Sequence, residues 1–159
     1  MIKFMKPTVY MMLGLPGSGK TTFSGNLAKR LGLRRFAIDE EYSKLGGDLH
    51  DHVWNRELAA QAGGEIKIQT EKLVVAGQSV VLDLCPWVKE PRDEYRQFID
   101  SIGANCRIYY LDVDKKELLR RLDKRNKSGE DYHIVSPEML DGFIDEFDTP
   151  VNEEFELVK

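Results

Sequence analysis

Two glycines frame four residues in Gly14-Leu15-Pro16-Gly17-Ser18-Gly19, and Lys20, Thr21 and Thr22 follow directly. Glycine lets a backbone turn tightly with no Cβ to clash. The N–H groups of such a stretch can therefore converge on an anion. A helix that starts just after it aims its partial positive charge at the same point. Lys20 adds a full charge within reach of β- and γ-phosphates, and the Thr21 hydroxyl is a hard oxygen suited to magnesium. The spacing GxxxxGK[ST] is complete and implies ATP with Mg2+, with Gly14 to Thr22 as the phosphate-binding stretch.

A phosphate loop needs a carboxylate on the metal side, at the end of a nearby strand. Asp83 closes the apolar run Val80-Val81-Leu82 and is the candidate for it, the alternative being an aspartate that caps the following turn. Phosphoryl transfer to an alcohol also needs an acid that takes the hydroxyl proton. Asp39 follows an expected second strand and would share an edge with the phosphate loop if the sheet is parallel. Glu40 and Glu41 adjoin it, so the choice among the three acids stays open, as does a plain acidic helix start. Arg121 and Arg125 lie four apart, hence on one helix face. They could close over the phosphates and balance charge in the transition state, or they could be a solvated basic face.

These residues need elements to position them. Thr8 to Leu13 is short and apolar between Pro7 and Gly14, as a buried parallel strand should be. Phe23, Leu27 and Leu31 recur at helical spacing up to Gly32, giving a helix over residues 21–31. Further strands are expected at 34–38, 79–84 and 107–111, with a short last one at 155–158. Helical pattern fills most of 40–76, broken by Gly46-Gly47 and Gly63-Gly64, and returns at 91–102. Asp114 and Glu117 form a capping box that starts a helix running to about Asn126. A loop follows from Asn126 to Ser136, and Ser136-Pro137 starts the next helix. Strands alternating with helices predict one α/β domain over 1–159: a three-layer phosphate-loop fold with a mainly parallel sheet of about five strands and a short lid.

The bulk composition fits this. The chain has 159 residues, 42% hydrophobic and 31% charged, with a net charge of -4. That balance is ordinary for a globular domain and argues against a nucleic-acid binder as a whole. Charge is uneven, however: Lys115 to Lys127 is strongly basic and Glu138 to Lys159 strongly acidic. Cys85 and Cys106 form no CxxC pair and read as small buried hydrophobes in a reducing compartment. No apolar run approaches the ~20 residues of a membrane span, and the N-terminus has no signal-peptide pattern, so a cytoplasmic protein is expected.

Subclasses can be weighed on motifs. A GTPase would carry Asn-Lys-x-Asp and Asp-x-x-Gly, where this chain has Asn126-Lys127-Ser128-Gly129 and Asp83-Leu84-Cys85-Pro86. A ring ATPase module would need a helical second domain, for which the length leaves little room. A small phosphotransferase fits.

The chain also resembles the small P-loop kinases, a group with an AAA-type ATP-binding domain that includes chloramphenicol phosphotransferase, polynucleotide 5′-kinase domains and zeta-toxin-like enzymes. The resemblance rests on Gly14 to Thr22, Ile38-Asp39-Glu40, Val80-Val81-Leu82-Asp83, Tyr109-Tyr110-Leu111-Asp112, Val135-Ser136-Pro137-Glu138-Met139 and Phe147-Asp148-Thr149-Pro150. It implies a nucleoside-kinase-like fold, Asp39 as base, Arg121 and Arg125 on phosphate, and Thr149-Pro150 near the adenine.

The expectation is an ATP-dependent kinase acting on a hydroxyl of a small molecule. A polynucleotide 5′-hydroxyl kinase and a non-catalytic ATP-binding regulator are the alternatives. The acceptor pocket is expected within 42–69, where His50, His52, Trp54 and Arg56 lie, with Trp87 and Arg92 nearby. Each of these, taken singly, reads more readily as a packing or surface residue.

Overall fold

The computed structural model describes residues 6–51, 53–84, 86–129 and 133–159. The expectations for Cys85 and His52 lie outside the described residues. In chain order the elements are β1 (Thr8–Leu13), α1 (Lys20–Leu31), β2 (Arg34–Ala37), α2 (Ile38–Lys44), α3 (Arg56–Val75), β3 (Val80–Asp83), α4 (Lys89–Ser101), β4 (Asn105–Leu111), α5 (Lys115–Asn126), α6 (Pro137–Glu146) and β5 (Glu156–Val158).

The strands form one sheet in the order β2-β3-β1-β4-β5, and every pair is parallel. Alternation along β1 divides its side chains between two faces. Val9, Met11 and Leu13 pack with Ile66 and Val74 of α3 and Ile99 of α4. Met12 turns the other way, with Val81, onto Leu27 and Ala28 of α1. A third cluster joins Leu118 and Leu122 of α5 to Val135 and Leu140. A parallel sheet places all carboxyl ends on one edge. The phosphate loop after β1, Asp39 after β2 and Asp83 at the end of β3 therefore meet there, as the sequence predicts.

Three local differences are instructive. β2 ends at Ala37, so Asp39 lies in the first turn of α2 rather than at a strand end. Gly46-Gly47 does end α2, and the second glycine is required: a Cβ there would lie 2.1 Å from the Tyr42 ring. Gly63-Gly64, in contrast, does not break α3, which runs unbroken for 20 residues. Each glycine costs about 1 kcal/mol against alanine. The buried stripe of Ala62, Ile66, Thr70 and Val74 offsets that by packing on the sheet.

Arg92 is a packing residue, in line with its bland reading. Its side chain is fully buried on α4, where it donates to the carbonyl oxygens of Pro86, Trp87 and Asp148 and pairs with Glu153 at 2.8 Å. One guanidinium thus ties the segment before β5 to the turn after β3. Breaking such a buried pair costs about 3–5 kcal/mol.

Candidate active site

The loop between β1 and α1 can form only with glycine at its two tightest points. A Cβ on Gly14 would lie 2.6 Å from Ser18 Oγ and 2.8 Å from the Leu111 carbonyl oxygen. Gly17 has φ 83°, and a Cβ there would come within 3.0 Å of Leu122 on α5. Lys20 Nζ arches over the loop and donates to the Gly14 and Leu15 carbonyls at 2.7 and 2.9 Å. Thr21 and Thr22 are exposed at the start of α1 and line a cleft of about 1330 Å³.

Across that cleft lie the acids. Asp83 is buried, and its Oδ2 accepts from Ser24 Oγ at 3.0 Å and from the Arg35 guanidinium at 2.9 Å. Arg35 also bonds Glu40 at 2.6 Å and Ser24 Oγ at 2.8 Å. Burial works against its charge, but the bonds to Glu40 and Asp83 outweigh that and raise its pKa. Glu41 pairs with Lys44 at 3.0 Å. Of the three adjacent acids, Asp39 alone among the described residues has no ion pair, and it lines the cleft. Burial lifts its carboxyl above the usual range, and the Asp83 charge adds to that, while His133, Lys20 and Arg125 pull the other way.

The donors fit a magnesium nucleotide. Thr21 offers an exposed hydroxyl and Asp83 a carboxylate at the same edge. The like-charge pressure of Asp83 on Asp39 marks a spot that a divalent cation would relieve. Both would hold Mg2+ through hard oxygen.

The lid side is basic. Arg121 Nη1 reaches the Ser18 carbonyl at 3.2 Å, and Nε is held by Glu117 at 2.7 Å. Hydrogen bonds from Arg120 and Arg121 bring the Glu117 carboxyl down to about 2. Glu117 is itself set by the Asp114 cap, which accepts from its N–H at 3.0 Å. Arg125 donates to the His133 carbonyl at 2.8 Å. His133 Nδ1 stands 3.0 Å from the Leu49 carbonyl. A carbonyl only accepts, so this nitrogen carries the proton. His133 is thereby fastened to the segment after α2.

The structure brings together Lys20, Thr21, Thr22, Asp39, Asp83, Arg121 and Arg125 around one cleft. It also draws in Trp54 and Trp87, but neither His50 nor Arg56 lines it. Thr149 and Pro150 do not line this cleft. Their segment is bound to the residues after β3, where Asp148 N–H donates to the Trp87 carbonyl and Arg92 donates to the Asp148 carbonyl. Sequence reasoning missed Arg35 and His133. An arginine inside a four-residue strand was a usable signal for the first; the second sits in a loop without pattern.

Residues 9–150 match the family described as AAA domain. A Schizosaccharomyces pombe protein named as a probable gluconokinase is 23% identical over 94% of this chain and 77% of its own length. Among solved structures, a provisionally assigned kinase from Chloroflexus aurantiacus superposes with a TM-score of 0.79 at 21% identity, covering 97% of this chain and 88% of that one. A gluconokinase from Sinorhizobium meliloti 1021 gives 0.63 at 17% identity, over 98% and 82%. These likenesses agree with the all-parallel phosphate-loop architecture. With most of its length matched and its phosphate loop formed, the chain belongs to the AAA domain family.

Proposed function

We propose that this protein is a MgATP-dependent kinase that phosphorylates a hydroxyl of a small molecule. The observation that carries the reading is the placement of Asp39: an acid without an ion pair among the described residues, lifted in pKa, in the same cleft as Lys20 and Thr21. A base is most effective when its pKa moves toward the working pH.

Gly14 to Thr22 would cradle the phosphates, with Lys20 swinging from the Gly14 and Leu15 carbonyls onto the β- and γ-oxygens. Thr21 and Asp83 would hold magnesium, which when bound neutralises charge on the bridging phosphate oxygens. Arg35 holds Asp83 in place through its guanidinium. Asp39 would orient the acceptor hydroxyl in line with the γ-phosphorus and take its proton as the new P–O bond forms and the bond to ADP breaks. Arg121 and Arg125 would meet the charge that spreads over the transferred group. Most of the acceleration would come from positioning and electrostatics.

Names of relatives suggest a sugar or sugar-acid acceptor. A regulator that uses ATP only as a switch would have no use for an unpaired, cleft-facing Asp39. ADP release measured across a panel of alcohols tests the proposal: some acceptor should stimulate it saturably. Release that stays flat for every acceptor, with intact MgATP binding, would leave the switch reading in possession.

A further inference from the structure

Arg35 carries a charge into a largely closed position, with 16% of its side chain exposed. β2 and β3 pair with Arg35 opposite Val81 and Ala37 opposite Asp83. Alternation therefore puts Arg35 and Asp83 on one face of the sheet, the face on which Val81 packs against Leu27 and Ala28 of α1. Ser24 of α1, fully buried, completes the group. The guanidinium spreads over three elements: Nη2 donates to Asp83 Oδ2 at 2.9 Å, Nε to Ser24 Oγ at 2.8 Å and Nη1 to Glu40 Oε1 at 2.6 Å. Ser24 Oγ stands 3.0 Å from the same Asp83 Oδ2. Its single proton can go to that oxygen or to the Thr21 carbonyl, also at 3.0 Å, and the charged acceptor is the stronger.

Both described hydrogen bonds of the Asp83 carboxylate thus fall on one oxygen, Oδ2. Two donors there restrain the rotation of the carboxyl group and leave Oδ1 for a ligand in the cleft that Asp83 lines. Ser24 lies one helical turn on from Thr21, so α1 and β3 set the two proposed magnesium oxygens relative to each other. Stability alone explains the cluster poorly. A buried ion pair seldom gains on apolar side chains of the same volume. The Glu40 arm is 54% exposed, and an exposed pair contributes little. Holding a metal ligand does explain it, because partners behind a ligating group fix its orientation.

We infer that Arg35 and Ser24 are positioning residues for magnesium, holding Asp83 by Oδ2 so that Oδ1 serves the metal, directly or through its water. This rests on the kinase reading only for magnesium as the ion, and nucleotide binding tests it without an acceptor or turnover. Charge alone predicts the opposite sign, since removing a cation beside the site should tighten Mg2+ binding.

Titration calorimetry of β,γ-methylene-ATP with and without Mg2+ gives the factor by which the metal strengthens nucleotide binding. Arg35→Gln should leave the metal-free affinity near wild type and cut that factor by about tenfold, or remove it, as losing a partner behind a metal ligand does. Arg35→Lys keeps the charge without the fork and should not restore it. Ser24→Ala should lower the factor by less. Added to Asp83→Asn, Arg35→Gln should change it little further, because both act through one carboxylate. An unchanged or larger factor in Arg35→Gln, full restoration by Arg35→Lys, additive losses with Asp83→Asn, or equal loss with and without Mg2+ would each overturn the inference. If Arg35→Gln does not fold, Ser24→Ala carries the test, and an unchanged factor there overturns it as well. A wild-type protein that gains nothing from Mg2+ would sink the magnesium site itself. ADP release that stays flat with every acceptor, beside a factor that depends on Arg35, would sink the kinase reading and leave this inference standing.

Discussion

The two halves of the cleft are built on different principles. The phosphate half is local: one unbroken stretch from Gly14 to Thr22 supplies the turn, the donors, the lysine and the hydroxyl, with α5 laid across it through Arg121. The acceptor half is composite. Asp39 comes from α2, Trp54 from the segment before α3, Trp87 from the turn after β3, His133 from the loop before α6, and Phe143 from α6 itself. Backbone geometry dictates the first half, so its residue types are nearly forced. Side chains shape the second, and its residue types follow from the ligand. A fold of this kind can keep one nucleotide site while its acceptor site changes.

The contrast can be broken most forcefully at Lys20. Lys20→Ala should lower turnover by at least ~10³-fold, because it removes a full charge from the transferring phosphates. The thermal midpoint should stay near wild type, since among the described residues Lys20 bonds only two loop carbonyls. Stopped-flow nucleotide binding and a melting curve check both, and wild-type MgATP affinity in this variant would refute the phosphate-loop assignment.

A smaller effect is expected on the lid. Arg121→Ala combined with Arg125→Ala should reduce kcat by roughly 10²-fold while changing ATP affinity much less, as charges that act mainly in the transition state do. An unchanged kcat would return this face of α5 to plain solvated surface.

The mildest test sharpens the boundary between the halves. Burial, with the Asp83 charge adding to it, raises the pKa of Asp39, so the base form is lost as pH falls through a value above the ordinary carboxylate range. In Asp83→Asn the like charge is gone, and the Asp39 carboxyl should titrate at lower pH than in wild type. Carbon-13 NMR of the free protein reads this directly. An unmoved titration point would mean that burial alone sets the shift, and a higher one would contradict the like-charge account.

The same contrast explains how much the sequence discloses. The phosphate loop, the five strands and the Asp114 and Ser136 caps are all readable, because each depends on residues within a few positions of one another. Asp39 is readable as one of three acids, and the choice among them needs the partners of the other two: Arg35 for Glu40 and Lys44 for Glu41. α3 runs through Gly63-Gly64 because tertiary burial outweighs local propensity, which no window of sequence displays. The segment that leads to Thr149-Pro150 is held at Asp148 by Arg92, a residue more than fifty positions earlier whose buried role is fixed only by the packed fold. The pairing of Trp54 with Tyr42 likewise depends on the turn at Gly47, and that of Trp87 with Phe143 on the placement of α6.

Asp39 is where the two halves meet, and its removal is the most direct trial of the account. Asp39→Asn keeps the shape and the hydrogen-bonding reach but loses the charge proposed to take the proton. Rapid-quench single-turnover assays with a stimulating acceptor, run beside equilibrium MgATP binding, separate the two halves in one variant. Phosphoryl transfer should fall by ~10²-fold or more while MgATP affinity stays close to wild type, and Glu40→Gln and Glu41→Gln should fall far less. Near wild-type transfer in Asp39→Asn, with Glu40→Gln inactive, would contradict the assignment of the base.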